Sequence, residues 1–331
     1  MGEPKAPMNV ATETLRRLLS ELGPRRFLSK AAETLTPTEA SVNLALQGGG
    51  PLGAFTWGVL DAILELDTRP IAKVSGASAG SLNAAVLATG LVRGGRKEAR
   101  EALGAFWSDV SGVAATAQAL LTPQTISERL TGFRLPIASR NRGGDALRDI
   151  IAKHVDIGAL QSGTAPRIAI AATHIPTGRA RIFSNADVSQ EALLASACLP
   201  QVQSPVEIDG DPYWDGGLTS NPPITPLVSS PHPVILVRLL SSGIDSIPTK
   251  TNEIERQLQQ FLFARPLDNE LEALGDEAAN IQEIALHDWL PGRSMEGLPT
   301  PRVVKTLFEA GRNAGAVFLD EEAARGEAMT A

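Results

Sequence analysis

What most constrains this chain is the order of strands, glycine turns and helices between residues 42 and 88. Val42, Leu44 and Leu46 recur at every second position, the period of a strand, and Gly48, Gly49 and Gly50 follow in a tight loop. After Gly53, the residues Phe55, Val59, Ala62, Ile63 and Leu66 share one helical face, and Arg69-Pro70 ends that helix. A second apolar run covers 71–74, then Ser75-Gly76-Ala77-Ser78-Ala79-Gly80, then an Ala/Leu-rich stretch at 82–88. Strand, glycine loop, helix, strand, serine turn and helix thus occupy about 50 residues. This alternation predicts an α/β fold on a parallel sheet, because parallel neighbours need a crossover between them.

The second turn carries chemistry. Gly76-x-Ser78-x-Gly80 between a strand and a helix pushes a serine hydroxyl into the open at the helix N-terminus. Flanking glycines let the chain bend there without a Cβ clash. A hydroxyl so placed is a candidate nucleophile for acyl transfer.

Composition narrows the function class. Of 331 residues, 43% are hydrophobic and 20% charged, enough for a substantial core. Acidic side chains outnumber basic ones, 37 to 30, which argues against a nucleic-acid partner. The single cysteine, Cys198, allows no intrachain disulfide, and the four histidines lack metal-ligand spacing, so no metal or other cofactor is expected. Residues 1–10 lack a signal-peptide pattern and no apolar run reaches membrane-spanning length. A cytoplasmic protein, open to peripheral membrane contact, is expected.

The remaining chain reads as follows. Leu15, Leu18, Leu19 and Leu22 predict a peripheral amphipathic helix within 1–40, docking on the domain or binding a membrane surface or partner. Gly90, Gly94 and Gly95 are read as breaks before a helix over 98–110, and 111–144 as an irregular excursion or a mobile cap. Asp145 is read as the N-cap of a helix over 146–154. Residues 167–172 and 179–183 predict a hairpin, 191–198 a short helix, 206–208 a strand and 234–240 a buried parallel strand. Beyond Ser241 helices are expected at 253–264, 267–290 and 303–318, packing through Leu258, Phe261, Leu262, Ile281 and Ile284. The expected organisation is a peripheral segment 1–40, a catalytic domain 41–240, and a mainly helical extension 241–331 packed on that domain.

Two readings of the 48–53 loop compete. Gly48, Gly50 and Gly53 match a dinucleotide-binding spacing, but the required acidic residue should end the second strand, and Asp67 precedes it. The alternative is an oxyanion hole, with free N–H groups beside Ser78 for the charge that develops on an ester oxygen. Ser78 also needs a base. His232 lies between two prolines and His287 inside a helical stretch, so neither resembles a base presented on a loop. Asp215, between Trp214 and Gly216-Gly217 and followed by Asn221-Pro222-Pro223, is the better candidate.

These three motifs together resemble the bacterial patatin-like phospholipase family: the loop 46–53, the turn Gly76–Gly80, and Asp215-Gly216-Gly217. Residues 195–200 and the Tyr213–Pro222 stretch resemble it too, so the likeness spans about 42–240. The resemblance implies a three-layer α/β/α patatin-like fold. It also implies a lipid acyl hydrolase in which Ser78 is the nucleophile, Asp215 the proton acceptor, and Gly48, Gly49, Gly50 and Gly53 form the oxyanion hole. The expected partner is a lipid or other ester substrate; an acyltransferase with the same dyad, or a silent lipid-binding regulator, are the alternatives. One departure stands out: many members carry Arg or Lys where this chain has Leu52, which leaves esters other than phospholipids open.

Overall fold

The computed structural model describes residues 41–119, 142–200, 203–243, 247–290 and 299–330. Strand β1 (Val42–Leu46) leads through a 3₁₀ turn into helix α1 (Gly53–Leu66), strand β2 (Ile71–Gly76) and helix α2 (Ala79–Ala119). Helices α3 (Arg142–His154) and α4 (Ile157–Gln161) precede the hairpin β3 (Arg167–His174) and β4 (Arg179–Ser184). Helix α5 (Gln190–Ser196), strands β5 (Val206–Ile208) and β6 (Asp211–Asp215), helix α6 (Thr225–Val228) and strand β7 (Val234–Arg238) follow. Helix α7 (Thr251–Leu274), strand β8 (Ile281–Ala285), helix α8 (Leu286–Trp289) and helix α9 (Pro301–Thr330) complete the order.

All eight strands form one sheet in the order β5-β6-β3-β2-β1-β7-β8, with β4 also on β3. The block β3-β2-β1-β7-β8 is parallel, while β4 and β6 run antiparallel to β3. Alternation along the central strands builds two cores. Leu44, Leu46, Ile235 and Val237 face a large core shared with α1, α2 and α9, while Ala45, Val234 and Leu236 face a smaller one closed by Ile224, Leu227 and Leu267. Helices on both faces of a mainly parallel sheet make the expected three layers.

Several local expectations need correction. No helix spans 267–290: α7 runs unbroken through Pro266 and ends at Gly275, and 281–285 is a strand in parallel register with β7. Ile281 and Ile284 carry a helical spacing, but the open edge of β7 offered backbone partners and won. Leu258 and Leu262 are 57% and 55% exposed; the neighbouring Phe263, Ala264 and Leu267 face the sheet instead. Leu66 is likewise exposed, while Phe55, Val59, Ala62 and Ile63 are buried as expected. Helix α2 passes through Gly90 and bends only at Gly94 and Gly95. The bend folds its second half back, so that a Cβ on Gly90 would lie 2.4 Å from Ala99 Cα. Gly90 therefore permits a close crossing rather than a break. Asp145 sits in the first turn of α3, which starts earlier at Arg142. Helix α2 continues to Ala119 and helix α3 takes up 142–144; the rest of the expected cap, like the expected N-terminal helix, lies outside the described residues.

Candidate active site

Strand pairing brings distant motifs together. Strand β4 overlaps the stretches of β3 that pair with β2 and with β6, so β2 and β6 must share the opposite edge of β3. They lie there end to end: Gly76 is opposite Ile170 and Asp215 opposite Ala172. Two residues along a strand is about 7 Å, so the turn after β2 and the end of β6 converge.

Ser78 occupies that turn in a left-handed conformation, φ +52°, and is only 5% exposed. This backbone is strained for a non-glycine residue and is held by its surroundings. Its N–H donates to both the carbonyl and the hydroxyl of Ser196, each at 3.1 Å. Gly80, in the first turn of α2, lies against the end of β1, where a Cβ would meet Leu46 O at 2.0 Å, and a Cβ on Gly76 would strike Gly80.

Asp215 is fully buried. Its N–H donates to Cys198 O at 2.8 Å, and its Oδ1 accepts from Gly217 N at 2.8 Å. Oδ2 is buried and makes no hydrogen bond of regular geometry among the described residues. Burial pushes this carboxyl up to about 7, although the nearby Ser78 hydroxyl and the Gly217 N–H both favour its charged form. Gly216 packs so tightly on β3 that a Cβ would lie 2.0 Å from Ala171 O, and one on Gly217 would meet the Phe263 ring. Thr173 Oγ1 fixes the other side of the loop by donating to Asp215 O at 2.7 Å.

The glycine loop lies directly against the serine. A Cβ on Gly48 would come within 2.7 Å of Ser78 Cβ and 2.6 Å of Ala77 O. Its four glycines are not equivalent. Gly48 N–H donates to Asn221 Oδ1 at 2.7 Å, and Gly53 N–H donates back to Gly50 O and Pro51 O. The N–H groups of Gly49 and Gly50 have no partner among the described residues. Gly50 is left-handed at φ +55°, and Gly49 rests on Leu239. Leu52, in place of a basic residue, is buried.

Ser196, Cys198 O, Asn221, Gln47 and Thr173 brace the site without having had an assigned role in the sequence. Gln47 Oε1 accepts from Leu239 N and Leu240 N at 2.7 and 2.8 Å, anchoring the loop to the end of β7. Ser196, Cys198 and Asn221 fall in the outer stretches that carried the resemblance and Gln47 in its 46–53 loop, which was the available signal. Cys198 is buried, and desolvation followed by the Asp215 charge pushes its thiol up to about 12. His154 is held by Asp109 and His174 by Thr177. Trp107 packs in the core and Trp57 on Phe308. No cluster of His, Cys, Asp and Glu suited to a metal occurs among the described residues. No helix among them is long and apolar enough to cross a membrane.

The fold and site define an α/β/α protein in which a strained serine and a buried carboxylate meet at the strand ends beside a glycine loop. The chain belongs to the patatin-like phospholipase family, whose model matches residues 44–228, more than half its length. That is a family of lipid acyl hydrolases. No curated protein matches the chain. Among solved structures, VipD from Legionella pneumophila is 15% identical at a TM-score of 0.49, with 86% of this chain and 67% of that one covered. The type III effector protein ExoU is 17% identical at 0.37. ExoU in its heterodimeric complex with SpcU from Pseudomonas aeruginosa is 16% identical at 0.38. This chain spans about half of the ExoU chains, 53% and 52%.

Proposed function

We propose that this protein is a serine hydrolase of lipid carboxylic esters, with Ser78 as nucleophile and Asp215 as base. The observation that carries the reading is the convergence of the Ser78 turn with a buried carboxylate of raised basicity. Oδ2 of Asp215 takes the Ser78 proton as Oγ attacks the ester carbonyl carbon and the carbonyl π pair moves to oxygen. The donors assigned to that oxyanion are the N–H groups of Gly49 and Gly50, since those of Gly48 and Gly53 are already engaged. Collapse of the intermediate breaks the ester C–O bond, and the proton on Asp215 passes to the departing alcohol. Water then attacks the acyl-serine, gives its proton to Asp215, and releases the acid as Ser78 recovers its hydrogen.

The uncharged, buried Leu52 adds no cation beside the loop, so the reading extends to lipid esters without a phosphate. A panel of phospholipids, neutral glycerides and short-chain esters tests this. Ser78→Ala and Asp215→Asn should each lower kcat at least about 1,000-fold in folded protein. Full turnover by either variant would refute the dyad.

A further inference from the structure

Asn221 is fully buried and lies 173 residues from the glycine loop in sequence. Its carboxamide makes contacts that fix which end is which. Oδ1 faces an N–H, that of Gly48 at 2.7 Å, and Nδ2 faces two carbonyls, Phe263 O at 2.7 Å and Gly48 O at 3.4 Å. One side chain therefore grips both polar groups of the loop's first glycine and ties it to helix α7. Through Thr219 and Ser220, whose N–H groups donate to Gly216 O, the same residue is joined to the turn that carries Asp215. Phe263 in turn packs against the Gly217 position.

We propose that Asn221 is the positioning residue of the oxyanion loop. It sequesters the Gly48 N–H and sets the loop's origin against Ser78, which leaves Gly49 and Gly50 as the donors at a fixed offset from the nucleophile. A hydrogen-bonded carboxamide suits this task because it presents an acceptor and a donor in one rigid plane. Elsewhere the loop is anchored through Gln47 and Leu239, and at its end by Asn83, whose Nδ2 donates to Gly53 O at 3.0 Å. Asn221 touches no reacting atom; it acts through the backbone it holds, so its removal should damage transition-state stabilisation more than substrate binding.

This inference rests on the Ser78–Asp215 reading, and the test separates the two. Asn221→Ala and the isosteric Asn221→Asp are compared with wild type and Ser78→Ala on one soluble aryl ester. Functional sites are counted by running a fluorescent fluorophosphonate to completion, so that kcat is expressed per reactive serine and loss of folded protein drops out. The expected result is a 10- to 100-fold fall in kcat per site for both variants, with KM within about threefold. The phosphonate should also react more slowly, by a comparable factor. Should Asn221→Ala not fold, Asn221→Asp, which keeps the shape and the acceptor for Gly48 but loses both donor contacts, carries the test alone. If kcat per site in a folded variant stays within twofold of wild type, and only the number of sites falls, Asn221 is a purely structural residue and the proposal is overturned. If wild type itself neither labels at Ser78 nor turns over the ester, the dyad reading and this inference fall together.

Discussion

Asp215 carries an ordinary carboxyl into a fully buried place, and its environment sets both its basicity and its cost. Its pKa rises from the usual carboxylate range to about 7 because burial disfavours charge more than Ser78 and Gly217 favour it. For kcat/KM the base must be free of its proton, so activity should climb about tenfold per pH unit below about 7 and level off above it. Stability runs the other way. Between about pH 4 and 7 the folded protein holds a proton on Asp215 that the unfolded chain has lost, so stability falls as pH rises through this window. Asp215→Asn removes that slope. At pH 8 the variant should be more stable than wild type by on the order of 1–4 kcal/mol, read from urea melts, while inactive. Equal pH slopes for the two proteins would contradict this. Of these residues, Ser78 was legible as a candidate because glycines flank it and Asp215 because two glycines follow it; Ser196 and the Gly48–Asn221 bond were not, since a hydrogen-bond partner leaves no local pattern.

At the scale of elements, the packing of α1 against α9 depends on small residues that meet face to face. A Cβ on Gly311 would lie 2.0 Å from Phe55 O, and one on Gly58 would lie 2.1 Å from Phe308 O. Gly315, one turn beyond Gly311, faces Ala62 and Val59 in the same way. Around this contact Arg312 and Arg100 converge on Asp61 and Glu65, with Arg100 Nε 2.8 Å from Asp61 Oδ1, so three helices share one ion cluster. Gly311→Ala raises helix propensity by about 1 kcal/mol but forces the helices apart. The net expectation is a loss of roughly 1–3 kcal/mol, seen as a lower thermal midpoint; an unchanged or higher midpoint would show that the crossing relaxes freely. Helix α1 could be foreseen from its apolar period, its partner could not. Periodicity marks a face to be buried and says nothing of which distant helix will bury it.

For the molecule as a whole, residues past 240 complete the sheet rather than decorate it. Strand β8 adds to the edge of β7 through five paired positions, and α9 covers α1 over the larger core, burying Val304, Leu307, Ala314 and Phe318. A chain cut after residue 240 would expose the β7 edge and the α1 face together. It should not fold to an active state, which limited proteolysis and ester turnover would check; a soluble, active fragment would show that the residues past 240 are dispensable.

The sequence alone determined what is local. Strand, glycine loop, helix and serine turn succeed one another at fixed short spacings, and those spacings dictate a parallel α/β sheet with a serine at a strand end. Only tertiary structure decided that β2 and β6 abut along one edge of β3, that Asn221 reaches Gly48, and that 281–285 pairs with β7 instead of extending a helix. Such outcomes depend on backbone groups far apart in the chain competing for the same partners, and that competition is resolved only when the sheet assembles.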